Sequence, residues 1–212
     1  MRSAGSSSEG PGAVRVEGLT RGAFILRGAL ATAAAYGAGA VGPFVSRALA
    51  QSDASDSQLI DFALRLETLE SKFYDRALRE VPGMSRSVRS VIGTLRGHEH
   101  EHERILRETL GQLGVRTSPT PKFNFGDAFS SESRFLEVSK QLEDTGVAAY
   151  NGIAPMIFST SLLQVAAEIA HVEAIHAAVL ADLQDKPIAP GAFERSLKPA
   201  DVAKGIKPYV RG

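Results

Sequence analysis

Two Glu-x-x-His pairs, Glu99 with His102 and Glu173 with His176, constrain this chain more than any other feature. Residues three apart on an α-helix project from one face, so each pair presents a carboxylate and an imidazole side by side. The pairs stand 74 positions apart, and all five histidines of the 212-residue chain lie in the two short stretches that hold them. A Glu-x-x-His from each of two helices, joined by a lone Glu from each of two others, is the donor set of di-iron and di-manganese carboxylate four-helix bundles. The chain must then supply four helices and two further carboxylates at one level.

Four helices are legible after residue 50. The first begins near Ser55 or Asp56, where Ser55 and Gln58 have capping-box spacing, and stops at Val81-Pro82-Gly83. The second runs from about Ser85 to Gly111, and the third from Ser130 or Ser131 to just before Pro155. The fourth is expected from Ser161, which repeats the capping-box spacing with Gln164, to about Gln184. Nowhere does a period of two persist, so the fold class is all-α. Short connections make hairpins of helices one and two and of helices three and four. Between the hairpins, Gly111 to Ser130 is long enough to cross the bundle from end to end. Its Phe123, Phe125 and Phe129 are expected to dock on the helices.

The lone carboxylates come next. Helix one offers Glu67 and Glu70, and helix three offers Glu143 and Asp144. Glu67 precedes Tyr74 by seven residues, and Glu143 precedes Tyr150 by seven. Both the Glu pair and the Tyr pair are 76 positions apart, within two of the Glu-x-x-His separation. The chain reads as two weakly similar hairpins, each carrying Glu…Tyr and then Glu-x-x-His. In the first hairpin Glu67 and Glu99 lie nearly equidistant from the turn, which puts them at one height.

Helical facing sorts the spare candidates. On helix two, Ile92, Leu95, Glu99, His102, Leu106 and Leu110 share the inward seam, leaving His100, Glu101 and Glu103 outward; His98 is ambiguous. On helix four, Glu173 and His176 fall within an apolar stripe. A third Glu-x-x-His, Glu168 with His171, shares a face with Ser161, Gln164 and Asp182 and reads as surface. A single such motif is weak, and His98 to His102 alone could equally be a solvated charged face or a surface zinc patch. Two motifs and two lone Glu in register, all on apolar seams, point to a buried site. Burying four carboxylates without cations costs several kcal/mol per ion, so two divalent metals are the natural compensation. Tyr74 and Tyr150 are either plain core aromatics or hydrogen-bond donors to ligand carboxylates.

The segments ALRLETLESKFY, RGHEHEHERIL, QLEDTGVAAYNG and IAHVEAIHAA resemble the core motifs of the bacterial ferritin-like domain family that includes desiccation-related proteins. The resemblance spans roughly residues 53 to 200. It implies a ferritin-like four-helix bundle with a long crossover between helices two and three, often exported, with a di-metal centre. Carried over by position, Glu67 and His102 would bind one metal and Glu143 and His176 the other, with Glu99 and Glu173 bridging. Such carboxylate and imidazole donors suit Fe or Mn.

The first fifty residues differ in character. They hold five Arg and only two acids, then an Ala/Gly-rich run from Gly28 to Val45, and end in Ala48-Leu49-Ala50, a small-x-small cleavage signature. Thr20-Arg21-Gly22-Ala23-Phe24-Ile25 looks like a twin-arginine signal whose second Arg has become Gly. The expected organisation is an export signal over 1–50, a bundle over 51–185, and a Pro-containing tail over 186–212 that wraps the bundle with at most a short helix near Pro199 to Ala203. The expected address is periplasmic or extracellular, with no stable membrane span after cleavage.

Equal numbers of basic and acidic residues give no pointer to nucleic acid. Without Cys there are no disulfides, no thiolate metal sites and no built-in rubredoxin-type relay. The expected partners are metal ions and O2 or peroxide. Ferroxidase action, peroxide handling or metal sequestration all suit such a site; the alternative is a protective or structural envelope protein in which any metal only staples the bundle. A homo-oligomer remains open, but a full fifth helix of the storage-cage kind is not expected.

Overall fold

The computed structural model describes residues 55–211; the expected export signal and its cleavage site lie outside them. Four long helices follow in order: α1 (Asp56–Glu80), α2 (Arg86–Gln112), α3 (Glu132–Ile153) and α4 (Thr160–Asp182). A short α5 (Pro199–Ile206) lies in the tail.

Each long helix begins at a serine whose hydroxyl accepts a hydrogen bond from a backbone N–H of the first turn. Ser55 does so for α1 with the full reciprocal box to Gln58, Ser85 for α2, and Ser131 for α3. At α4 the expectation needs correcting. The cap is Ser159, which accepts from the Leu162 N–H, and Ser161 lies inside the first turn. Gln164 donates to Glu168 instead. Sequence spacing alone could not separate two serines two apart. The choice follows from Asp56, whose carboxylate accepts from the Phe158 and Ser159 N–H groups at 2.9 and 2.7 Å and so pins the α3–α4 turn to the start of α1.

α1 packs along α2 and α3 along α4, as two antiparallel hairpins, and α1 also meets α3. At the first turn Gly83 takes φ +64°, a conformation that suits glycine. Two apolar layers sandwich the polar centre. One gathers Phe73, Ile92, Phe125, Phe129 and Phe135; the other gathers Leu59, Ile60, Leu106, Leu110 and Ile153. Phe125 and Phe129 of the crossover are buried, and Phe73 meets both at a centroid distance of 5.1 Å.

The tail runs back over the bundle. Leu197 N–H donates to the Ala148 carbonyl on α3, Val202 is fully buried, and the Val210–Arg211 strand (β2) pairs antiparallel with Lys122–Phe123 (β1) of the crossover. Two residues per strand are too few to show as a period of two, so this pairing is invisible in the sequence. α4 alone among the described residues has the length and hydropathy of a membrane span. Here it is a wall of the bundle, with Glu173 and His176 buried in its inward face.

Candidate metal centre

The four long helices deliver Glu67, Glu99, His102, Glu143, Glu173 and His176 to one point between the apolar layers. Glu67, Glu99, Glu143 and Glu173 have no exposed surface, His176 is 1 % exposed and His102 8 %. Each imidazole turns Nδ1 into the cluster. His102 Nδ1 lies 3.1 Å from Glu67 Oε2, 3.2 Å from Glu99 Oε2 and 3.2 Å from Glu173 Oε1. His176 Nδ1 lies 2.9 Å from Glu99 Oε1, 3.2 Å from Glu143 Oε2 and 3.7 Å from Glu173 Oε1. Glu99 therefore offers one oxygen to each side, and Glu173 stands beside both rings. The donors fall into two overlapping sets: Glu67, Glu99, His102 and Glu173, and Glu99, Glu143, Glu173 and His176.

Two tyrosines brace the unshared acids. Tyr150 on α3 donates to Glu67 Oε1 on α1 at 2.5 Å, and Tyr74 on α1 donates to Glu143 Oε1 on α3. Both phenols are buried, and burial first, then the carboxylate each faces, holds their pKa well above the ordinary phenol value.

Several oxygens in this dry interior lack partners. Glu70 Oε2, Glu99 Oε1 and both oxygens of Glu173 are buried and accept no hydrogen bond. Glu99 Oε1 is close to His176 but not aligned with a ring proton. One proton on an Nδ1 cannot serve three oxygens, whereas a cation among them can, so the residues present fit a metal-ion pair.

Without metal the cluster holds protons. Burial opposes charge on His102, but Glu173, Glu67 and Glu99 around its Nδ1 push its pKa up to about 12. Burial likewise opposes charge on His176, and Glu143 and Glu99 push it up to about 9. Burial and then Glu143 raise Glu99 to about 7. Burial would raise Glu67 too, but its hydrogen bond with His102 prevails and holds it below the usual value.

One residue, His100, departs from the facing argument, and two that it did not assign, Glu70 and His98, find their places. Glu70, the other acid that helix one offers, is 3 % exposed with its Oε2 buried, and it falls in neither of the two overlapping donor sets. His98 is solvent-exposed, yet its Nδ1 lies 2.9 Å from His176 Nε2 and the two rings stack at 5.2 Å. His100, expected to point outward, is half-buried: its Nε2 meets Asp75 Oδ1 at 3.0 Å and its Nδ1 meets Ser71 Oγ at 3.1 Å. Glu101, Glu168 and His171 are on the surface, and Asp144 pairs with Lys140 there. His98 was detectable in principle, since it lies one turn before His102; which helix it faces is a tertiary fact.

Fold and cluster together define an all-α four-helix carboxylate bundle with a buried acidic and histidine group that could bind metal ions. The model of the ferritin-like domain family matches residues 55–186, and the chain belongs to that family. Among solved structures it is similar to a conserved hypothetical protein, rv2844, from Mycobacterium tuberculosis, at a TM-score of 0.56 and 14 % identity over 65 % of this chain and 96 % of that one. At that identity the likeness speaks for the fold alone. No curated protein matches the chain.

Proposed function

We propose that this chain is a di-metal carboxylate protein of the cell envelope that binds two Fe or Mn ions and uses them in oxygen or peroxide handling, ferroxidase action or metal sequestration under stress. Glu67 with His102 would hold one ion, Glu143 with His176 the other, and Glu99 and Glu173 would bridge them. The observation that carries the reading is the pair of Nδ1 atoms, each within 4 Å of three buried carboxylate oxygens from three different residues. Such a metal pair supplies two electrons to a small oxidant when bound.

The protein's own residues do the rest. The four shared and unshared glutamates neutralise two divalent charges, and Tyr74 and Tyr150 keep the unshared pair oriented. The apolar layers exclude bulk water. The side of the centre nearest solvent is the α2–α4 seam, where exposed His98 meets His176 and where His102 is the most exposed of the six. Export rests on the Arg-rich, Ala/Gly-rich stretch ending at Ala48-Leu49-Ala50.

Metal analysis of protein recovered from its native compartment tests the binding: two Fe or Mn per chain, lost in Glu99→Ala, is the expected result. Oxygen or peroxide consumption on adding Fe²⁺ then tests the redox role. Bound metal with no consumption would make the ions a structural staple, and no bound metal would leave a protective scaffold.

A further inference from the structure

Glu70 has no place in the six-residue set, yet it is 3 % exposed, and its Oε2 is buried with no hydrogen-bond partner. It lies one turn beyond Glu67 on the same helix face. The equivalent position in the second hairpin, 76 residues on, is Gly146. That glycine is itself buried in α3, and its conformation is ordinary, so backbone freedom does not account for it. Space does. A Cβ built there would stand 2.9 Å from Glu173 Oε2 and 3.3 Å from Glu70 Oε1. The bare backbone of α3 thus makes the room into which Glu70 and the outer oxygen of Glu173 project.

We propose that Glu70 is a seventh metal-facing donor, a fifth carboxylate that makes the two halves of the centre unequal and favours a higher total cation charge. This rests on the di-metal reading above. The charge count gives the reason. Four carboxylates balance two divalent ions, whereas five balance one divalent and one trivalent ion. Glu70 Oε2 is buried with no hydrogen-bond donor near it, and a cation beside it would supply the missing partner. Nothing in the second hairpin repeats it, because its counterpart has no side chain.

The test is a titration of purified full-length protein with Mn²⁺, and separately with Co²⁺ whose visible absorption reports coordination number. Glu70→Gln keeps the shape and removes the charge. It is expected to bind two ions still, with the affinity of one weakened by at least about tenfold and its Co²⁺ spectrum changed. With iron loaded, the variant's midpoint potential is expected to rise, because the oxidised pair loses a stabilising charge. The surface variant Glu168→Gln serves as control and should match wild type. If Glu70→Gln fails to fold, Glu70→Asp, which keeps the charge but draws it back, should show the same loss of one affinity to a smaller degree. Wild-type affinities, spectrum and potential in the folded variant would overturn the proposal while leaving the six-residue centre standing. A wild-type protein that binds no ion would overturn both, and that outcome is visible without any variant.

Discussion

Tyr150 on α3 reaches across the bundle to donate its phenolic proton to Glu67 on α1, at 2.5 Å. Tyr74 on α1 returns the same contact to Glu143 on α3. The reciprocity makes α1 and α3 a braced pair: each positions the other's unshared carboxylate. Because both phenols and both acids are buried, neither contact can be replaced by water without rearranging the core.

Removing either phenol should therefore be felt at the centre as well as in the fold. Tyr150→Phe is expected to weaken metal binding by about 10- to 100-fold while costing about 1–3 kcal/mol of stability. Tyr74→Phe should do the same for the ion held by Glu143. Metal titration and denaturant unfolding of each variant, beside wild type, give the two numbers.

Shared and unshared acids should differ in stoichiometry. Glu99 presents Oε2 to His102 and Oε1 to His176, so Glu99→Ala is expected to lose both ions. Of the two imidazoles Glu143 meets His176 alone, so Glu143→Ala should retain the ion beside His102. Metal content per chain distinguishes two, one and zero. A surface patch made of His98 to His102 would instead be indifferent to Glu143→Ala.

His98 orients His176 from the solvent side through the 2.9 Å contact at Nε2. In His98→Ala the ring of His176 loses that restraint. The ion beside His176 should bind about 10-fold more weakly, with the other unchanged. A two-site competition titration resolves the two affinities.

Stability should depend on pH differently in the metal-free and metal-loaded protein. His176 has an ordinary value of 6.5 and a folded one of about 9. Its contribution is thus fully present below 6.5 and is lost as pH rises through about 9. Glu70 and Glu173, held well above the usual carboxyl range by burial first and then by neighbouring acids, act with the same sign. In chelator the melting temperature is expected to fall across this window. Divalent ions displace these protons, so binding should strengthen as pH rises and the stabilisation by added Mn²⁺ should grow. Melting curves with and without the ion check both slopes.

The tail is locked to α3 by the absence of a side chain at Gly152, where a Cβ would lie 1.8 Å from the Leu197 carbonyl oxygen. Gly152→Ala should displace residues around Leu197, cost about 1–3 kcal/mol and expose the tail to limited proteolysis.

What could be read from the sequence followed from local rules. Helix limits came from Ser55, Pro82-Gly83 and Pro155, because capping and chain breaking act over a few residues. The convergence of Glu67, Glu99, His102, Glu143, Glu173 and His176 was visible through two periodicities, the helical turn and the repeat of about 75 residues. Ser159 over Ser161, the inward turn of His100 and the β1–β2 pairing were not, since each depends on a contact with a segment far along the chain.

The sequence by itself determined that four amphipathic helices would bury carboxylates and imidazoles at one height, because side-chain spacing on a helix is set by its pitch. Only the tertiary structure decided that Glu70 is buried against Gly146 and that His98 touches His176. Both depend on which helix stands opposite and how much room it leaves: Gly146 on α3 in one case, the α2–α4 seam in the other. Such gaps between helices belong to the packing and are written in no single stretch of chain.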